Sequence, residues 1–285
     1  GEANLDNLYV SLNDGTGTFG AFTGYSFPNA GVQSLYELSV GDFNNDGDLD
    51  VVAIHGNGQA RYTYFTNDGT GALSGANVAL AGTRYLNWLT RVPMDIDRDG
   101  DLDWVGNDSN NGEVCKFVND GSGTFTITGF GGSYNGYGLY DVFFGDFSRD
   151  GKVDMIYADA SEDGLSLAIG DGAAGFAAYT PYLTNSSAAD PQGATFQDFD
   201  SDGDLDYVAT NTSLARIGVA KNDGSGAFGT AGEYNAGGSA MVDPLKIGSG
   251  DFDSDGDFDS VITSNGNDYV YLFTNGGTAI FLYSN

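Results

Sequence analysis

Five copies of a nine-residue acidic segment, six copies of an Asn-Asp-Gly-type turn and short alternating apolar runs between them predict an all-β fold. The arrangement they specify is a β-propeller of four-stranded antiparallel blades, five to six in number.

The acidic segments are Asp42 to Asp50 (DFNNDGDLD), Asp95 to Asp103 (DIDRDGDLD), Asp146 to Asp154 (DFSRDGKVD), Asp198 to Asp206 (DFDSDGDLD) and Asp251 to Asp259 (DFDSDGDFD). Their starts are 53, 51, 52 and 53 residues apart. Between them recur NDGTGTF from Asn13, NDGTGAL from Asn67, NDGSGTF from Asn119, the variant GDGAAGF from Gly170, NDGSGAF from Asn222 and a degraded NGGTAIF from Asn275. Glycine, 45 of 285 residues, exceeds twice its ordinary share of about 7% because both motifs use it.

Within each unit the elements follow in order. The first unit has an alternating run before the acidic segment (Tyr36 to Val40), another after it (Leu49 to Ile54), a third before the turn (Tyr62 to Thr66) and a fourth beyond it. Runs rich in Val, Tyr, Phe and Thr, joined by Asn-Asp-Gly turns, read as strands and hairpins. No window carries apolar residues at helical spacing over three turns, which excludes a helical solenoid. A β-solenoid coil of about 52 residues would be long for its class, whereas propeller units run about 40 to 50.

A single domain over 1–285 is expected, with a half repeat at 1–30 and complete repeats near 31–82, 83–133, 134–185, 186–237 and 238–285. The chain starts on a third strand (Asn7 to Leu12) and ends on a fourth (Ala279 to Tyr283). Two closures fit: a five-bladed ring with an additional N-terminal hairpin, or a six-bladed ring whose last blade lacks two strands. In the second, more sequence or a neighbouring chain supplies the missing half by strand addition.

Forty acidic side chains against 10 basic ones give a formal charge of −30, yet 40% of residues are hydrophobic and 13% aromatic. Such a chain buries a core and is not a disordered acidic tail. Its charge repels phosphate backbones and anionic lipid, which argues against nucleic-acid partners and membrane insertion. Apolar runs fall far short of the roughly 20 residues of a membrane-spanning helix. No signal-peptide pattern opens the chain, so any secretion signal is expected to lie outside these residues. The lone Cys115 forms no internal disulfide, leaving packing or metal as the source of stability.

The acidic segments have the composition of a calcium loop. Positions 1, 3, 5, 7 and 9 are Asp42, Asn44, Asp46, Asp48, Asp50; Asp95, Asp97, Asp99, Asp101, Asp103; Asp146, Ser148, Asp150, Lys152, Asp154; Asp198, Asp200, Asp202, Asp204, Asp206; and Asp251, Asp253, Asp255, Asp257, Asp259. Alternation turns these oxygens to the inside of a tight loop, and glycine at position 6 permits the sharp turn. Lys152 at position 7 makes sense only if that position offers its main-chain carbonyl. Crowded carboxylates repel unless a cation neutralises them, so up to five Ca²⁺ are expected, with the Asp146 loop the weakest because Ser148, Arg149 and Lys152 oppose cation binding. An EF-hand is excluded: position 12 is Ala53, Gly106, Tyr157, Ala209 or Ile262 instead of glutamate, and the flanks are strand-like.

GDFNNDGDLDVV, GDFSRDGKVDMI and GDFDSDGDFDSV, together with NLYVSLNDGTGTF, resemble the VCBS and FG-GAP repeats, the family that includes the integrin α-subunit propeller. The resemblance spans nearly the whole chain. It implies a β-propeller with one calcium in the hairpin between the first two strands of each blade, found mostly in extracellular or cell-surface proteins, some of them lectins and some polysaccharide lyases. The units here are shorter than the integrin ones.

Other motifs resolve into structure. GTGTFG from Gly15 and GSGAFG from Gly224 match the dinucleotide fingerprint, but each leads into a strand, with no helix N-terminus for a pyrophosphate. His55, the only histidine, has no recognisable nucleophile or acid partner, and Cys115 reads as a small buried residue. No catalytic set emerges, so the protein is not expected to be an enzyme. Arg84, Tyr85, Asn87, Trp88 and Arg91 depart from the other units and offer aromatic faces and donors to a sugar. Tyr134, Asn135, Tyr137 and the stretch from Asn185 to Gln192 are further variable candidates. The expectation is a secreted or cell-surface, calcium-stabilised binding or adhesion module for carbohydrate (lectin-like) or a surface protein. The alternatives are a structural subunit that self-associates through an incomplete terminal blade and a polysaccharide lyase-like enzyme.

Overall fold

The computed structural model describes residues 7–28, 35–55, 61–79, 86–89, 93–108, 111, 113–130, 139–159, 164–178, 180–183, 191–235 and 241–284. These residues form strands and turns and no helix. None of the described segments is a helix able to cross a membrane. The chain divides into two compact units, Gly1–Gly136 and Tyr137–Asn285.

The first unit opens with a two-stranded sheet, β1 (Asn7–Val10) and β2 (Thr23–Ser26). A four-stranded sheet follows: β3 (Leu35–Gly41), β4 (Asp50–His55), β5 (Arg61–Asn67) and β6 (Leu73–Ala79). Its second comprises β7 (Leu86–Leu89), β8 (Trp104–Asp108), β9 (Glu113–Asn119) and β10 (Phe125–Phe130). The second unit holds three more: β11 (Leu139–Gly145), β12 (Asp154–Asp159), β13 (Gly164–Ala168), β14 (Thr180–Leu183); β15 (Ala194–Gln197), β16 (Asp206–Asn211), β17 (Arg216–Ala220), β18 (Gly232–Tyr234); and β19 (Pro244–Gly250), β20 (Asp259–Ser264), β21 (Tyr269–Asn275), β22 (Phe281–Ser284).

Every four-stranded sheet is an antiparallel meander in sequence order, with the acidic loop joining its first two strands and the Asn-Asp-Gly hairpin its last two. The reason lies in composition. Val51, Val52, Ala53 and Ile54 are buried on both faces of β4, as are all six residues of β16, so the second strand is the sandwiched one. In the half repeat the continuous β1–β2 ladder ends at Val10, and beyond it Leu12 still accepts the Gly20 amide at 2.9 Å and Asn13 bridges to Phe19.

Cores form where one sheet meets the next within a unit. In the first unit Phe43, Tyr62, Trp104 and Phe117 are buried together, Trp104 stacking on Phe117 at 3.4 Å. In the second, Phe147 and Tyr207 anchor one cluster and Phe199, Phe273 and Phe281 another. The half repeat packs on the first full sheet through Leu8, Phe27 and Phe65.

Candidate metal centres

The acidic loops share one backbone scaffold. Position 4 is left-handed in all five, at Asn45, Arg98, Arg149, Ser201 and Ser254, with φ from 54° to 66°. Glycine follows at position 6 with φ from 78° to 100°, a region costly for any residue with a Cβ. This double reversal aims the amides of positions 5 and 6 at the position 1 carboxylate. Asp46 and Gly47 donate to Asp42 at 3.1 and 2.9 Å, and the other four loops repeat the pair on Asp95, Asp146, Asp198 and Asp251. Position 5 in turn accepts the amide of position 7 in every loop, at 2.9–3.0 Å.

Position 9 closes the loop from below. Asp50, Asp103, Asp154, Asp206 and Asp259 are fully buried, and each accepts the amide of the residue heading its own hairpin, at 2.8–2.9 Å. The second oxygen of four of them accepts an amide from inside the loop, as Ile96 gives to Asp103 at 2.8 Å. In the first repeat that oxygen takes the Tyr64 hydroxyl at 2.5 Å. Burial pushes Asp103 and Asp206 up to about 6 despite these amides. Burial, then the charge of Asp99, raises Asp97 as well.

Position 3 carries the oxygens without partners. Asp97 Oδ1, Asp200 Oδ1 and Ser148 Oγ are buried and accept no hydrogen bond. Beside Asp97 and Asp200, carboxylate oxygens of Asp95, Asp97 and Asp99 and of Asp198, Asp200 and Asp206 lie within 4.8 Å of one another, and those of Asp251, Asp253 and Asp255 do so in the fifth loop, where Asp253 Oδ1 accepts the Asp255 amide at 3.2 Å. Two oxygens bound to one calcium at about 2.4 Å are at most about 4.8 Å apart, so these three sets fit a single hard cation. An all-oxygen, carboxylate-rich donor set suits calcium and not a thiophilic metal.

Position 7 is different. Side chains of Asp48, Asp101, Asp204 and Asp257 turn to the hairpin of their own repeat, where a Cβ added to Gly69, Gly121, Gly224 or Gly277 would lie 2.6–2.8 Å from a carboxylate oxygen. Two of them also join the preceding loop: Asn45 donates to Asp101 at 2.6 Å and Arg149 pairs with Asp204 at 2.7 Å. Lys152, at this position in the third loop, turns its ammonium onto Asp150 at 2.7 Å and lowers that carboxyl. Lys221 reaches Asp200 at 2.9 Å, a cation at the fourth loop that loop spacing alone did not reveal.

Sequence reasoning also missed the second job of the hairpin asparagine. Asn119, Asn222 and Asn275 are buried, and each side-chain amide donates to the carbonyl of loop position 2 in the preceding repeat, Phe43, Phe147 and Phe199, at 2.7–2.8 Å.

The remaining candidates are placed as follows. Cys115 is buried in β9, with Glu113 and Asp108 at hand. Both stretches resembling the dinucleotide fingerprint are turns between strands. His55 ends β4, and Asn87 and Trp88 lie in β7, but their side chains fall outside the described residues. Arg84, Tyr85, Arg91, Tyr134, Asn135, Tyr137 and 185–190 lie outside them altogether.

Comparison with known proteins agrees with this architecture. The FG-GAP-like repeat matches five overlapping stretches, 3–53, 42–106, 95–157, 146–209 and 198–262. All but the first run from one acidic loop into the strand beyond the next. No curated protein matches the chain. Among solved structures it resembles an Agrocybe aegerita lectin with specific recognition of non-reducing terminal N-acetylglucosamine (TM-score 0.61, 20% identity, 96% of this chain and 72% of that one). It also resembles virginiamycin B lyase from Staphylococcus aureus (0.61, 14%, 97% and 76%) and a streptogramin B lyase (0.54, 15%, 91% and 73%). At these identities the likeness is one of fold alone, a repeat of β-propeller type.

Proposed function

The chain belongs to the FG-GAP-like repeat family, and from that premise we propose that it is a calcium-stabilised binding module, secreted or displayed at the cell surface, whose ligand is carbohydrate. The observation that carries the metal reading is the buried, unpartnered oxygen at position 3 in two loops, at Asp97 and Asp200, beside carboxylates spaced for one ion. The ion supplies positive charge to a cage that otherwise holds repelling carboxylates. The chain's own contribution is the geometry: amides of positions 5 and 6 fix the carboxylate at position 1, and the amide of position 7 fixes the one at position 5. Extracellular modules fill such sites at about 10⁻⁴–10⁻³ M calcium, which favours a location outside the cell.

The ligand reading takes support from the lectin among the structural relatives and from a scaffold that offers variable connections between rigid sheets. The lyases among those relatives favour a second reading, an extracellular enzyme. It requires a cluster of His, Tyr, Arg or Lys in one groove, and the sequence has a single histidine and 10 Lys and Arg in all.

Removal of calcium by chelator should lower the melting temperature and re-addition restore it, since a ligand of the folded state stabilises by about 2.7 kcal/mol at a hundredfold its Kd. An unchanged melt would refute a structural metal. A glycan array probed in calcium tests the ligand: discrete sugar hits support the binding module. An array without hits, combined with turnover of an acidic polysaccharide, would replace it with the enzyme.

A further inference from the structure

The fourth and fifth acidic loops are nearly one sequence, DFDSDGDLD and DFDSDGDFD, and differ only at position 8. The charges set against them are not the same. Lys221 places its ammonium 2.9 Å from Asp200 Oδ2, at position 3 of the fourth loop, and Arg149 lies 2.7 Å from Asp204 at position 7. Among the described residues no lysine or arginine pairs with an aspartate of the fifth loop.

The strand that carries Lys221 fixes its place. On one side Ala220 pairs with Tyr207 in the β16–β17 ladder, and on the other Asn222 donates its amide to Asp206, position 9 of the same loop, at 2.9 Å. The Lys221 carbonyl accepts the Gly229 amide at 2.8 Å, so the backbone is held and only the half-exposed side chain can leave. The other full repeats have Thr66, Val118, Ile169 and Thr274 in this place, so the fourth is the one with a cation here.

Asp200 divides its two oxygens. Oδ2 meets the ammonium, while Oδ1 is buried and has no hydrogen-bond partner. One oxygen each from Asp198, Asp200 and Asp206 lies within 4.8 Å of the others, the spacing of a cation cage. An ion in that cage and an ammonium on the same carboxyl group repel each other. Without the ion, the ammonium already relieves part of the repulsion among the carboxylates. Both effects reduce what the loop gains by binding calcium.

We propose that Lys221 sets the calcium affinity of the fourth loop, holding it below what five aspartates would give. The ammonium and the ion compete for Asp200, and the loop fills at a higher calcium level than it would without the lysine. This role rests on the calcium reading above and adds to it a residue outside the loops.

Calcium is titrated into the full chain by calorimetry against a chromophoric chelator, and bound ions are counted by native mass spectrometry. Lys221→Thr, which installs the residue of the first and fifth repeats, should tighten one site by about tenfold, the size expected of one ammonium a few ångströms from the ion near a protein surface. The number of ions at saturation should not change. Lys221→Gln, closer in length, should do the same, whereas Lys221→Arg keeps the charge and should stay within about twofold of the wild type. In an Asp202→Ala background, which disables the fourth loop at position 5, Lys221→Thr should change nothing. Circular dichroism melts in saturating calcium check that each variant is folded. Calcium bound with the same affinities by the wild type and Lys221→Thr would overturn the role of Lys221 and leave the calcium reading standing. Equal tightening by threonine and arginine, or a gain that survives Asp202→Ala, would overturn it too. A chain that binds no calcium in any form would overturn both.

Discussion

Asn119 spends both amide hydrogens on carbonyls of different repeats, Phe43 at 2.7 Å and its own Leu102 at 3.2 Å, while its oxygen takes the Gly123 amide at 3.1 Å. Asn67 caps its hairpin in the same way but donates only to its own repeat, to Leu49. Replacing Asn119 by Ala should therefore cost more than replacing Asn67 by Ala, by about 1–3 kcal/mol for the stranded buried carbonyl. Urea unfolding of the two variants measures the difference, and equal losses would sink the role given to the inter-repeat bond. Asp103 and Asp206 add a pH signature. Their folded pKa of about 6 lies above the ordinary 3.8, so the metal-free fold resists their ionisation. That penalty is complete above pH 6 and is relieved as pH falls toward 4. Calcium-free protein should thus melt higher at pH 5 than at pH 7, whereas calcium-loaded protein should melt lower at pH 5, as protons compete for the ligands. Asp14, Asp68, Asp120 and Asp223 are lowered by hydrogen bonds from their hairpin hydroxyls and lose stability only below this window. Parallel slopes with and without chelator, read by calorimetry, would refute the assignment. Residue type announced the hairpin asparagines as turn formers. Their partners, about 76 residues upstream, were not legible, because a turn signal says nothing about what the outer face of the turn will touch.

At the scale of the element, the acidic loop was legible as a cage because its alternation and its glycine both follow from local geometry. Which oxygens face inward was only partly so. Carboxylates at position 7 turn to the hairpin glycines, a contact that depends on where β4–β5 and its counterparts bring the two loops of a repeat together. Lys152 hinted at this, since a cation there would be intolerable if that side chain entered the cage. The third loop has its own ammonium on Asp150 and offers Ser148 at position 3, so it should be the weakest cation site of the five. Replacing Lys152 by Asp frees Asp150 and gives position 7 the residue that the other four loops carry there. Native mass spectrometry under limiting calcium should then show one more tightly held ion than the wild type; an unchanged count would mean that Lys152 does not set the occupancy.

For the whole molecule, the period of the sequence carried the antiparallel order of the four-stranded sheets and the place of each loop within them, and left the number of blades open. It did not carry the division at Gly136, which no shift in composition marks. It does carry where much of the charge resides. Of 40 acidic residues, 22 lie in the five loops, so five calcium ions would take the formal −30 to about −20. Electrophoretic mobility toward the anode should fall on calcium addition by more than a change in size explains, and constant mobility would exclude filling of most loops. The asparagine bonds carry one further consequence. Each reaches backward, from Asn119 to Phe43, from Asn222 to Phe147 and from Asn275 to Phe199, over 76, 75 and 76 residues. A repeat emerging during synthesis therefore completes the one made just before it, and the wait between the two halves of a junction never lengthens along a unit. Written into the fold is an order in time, with each newly made sheet serving as the latch of the last.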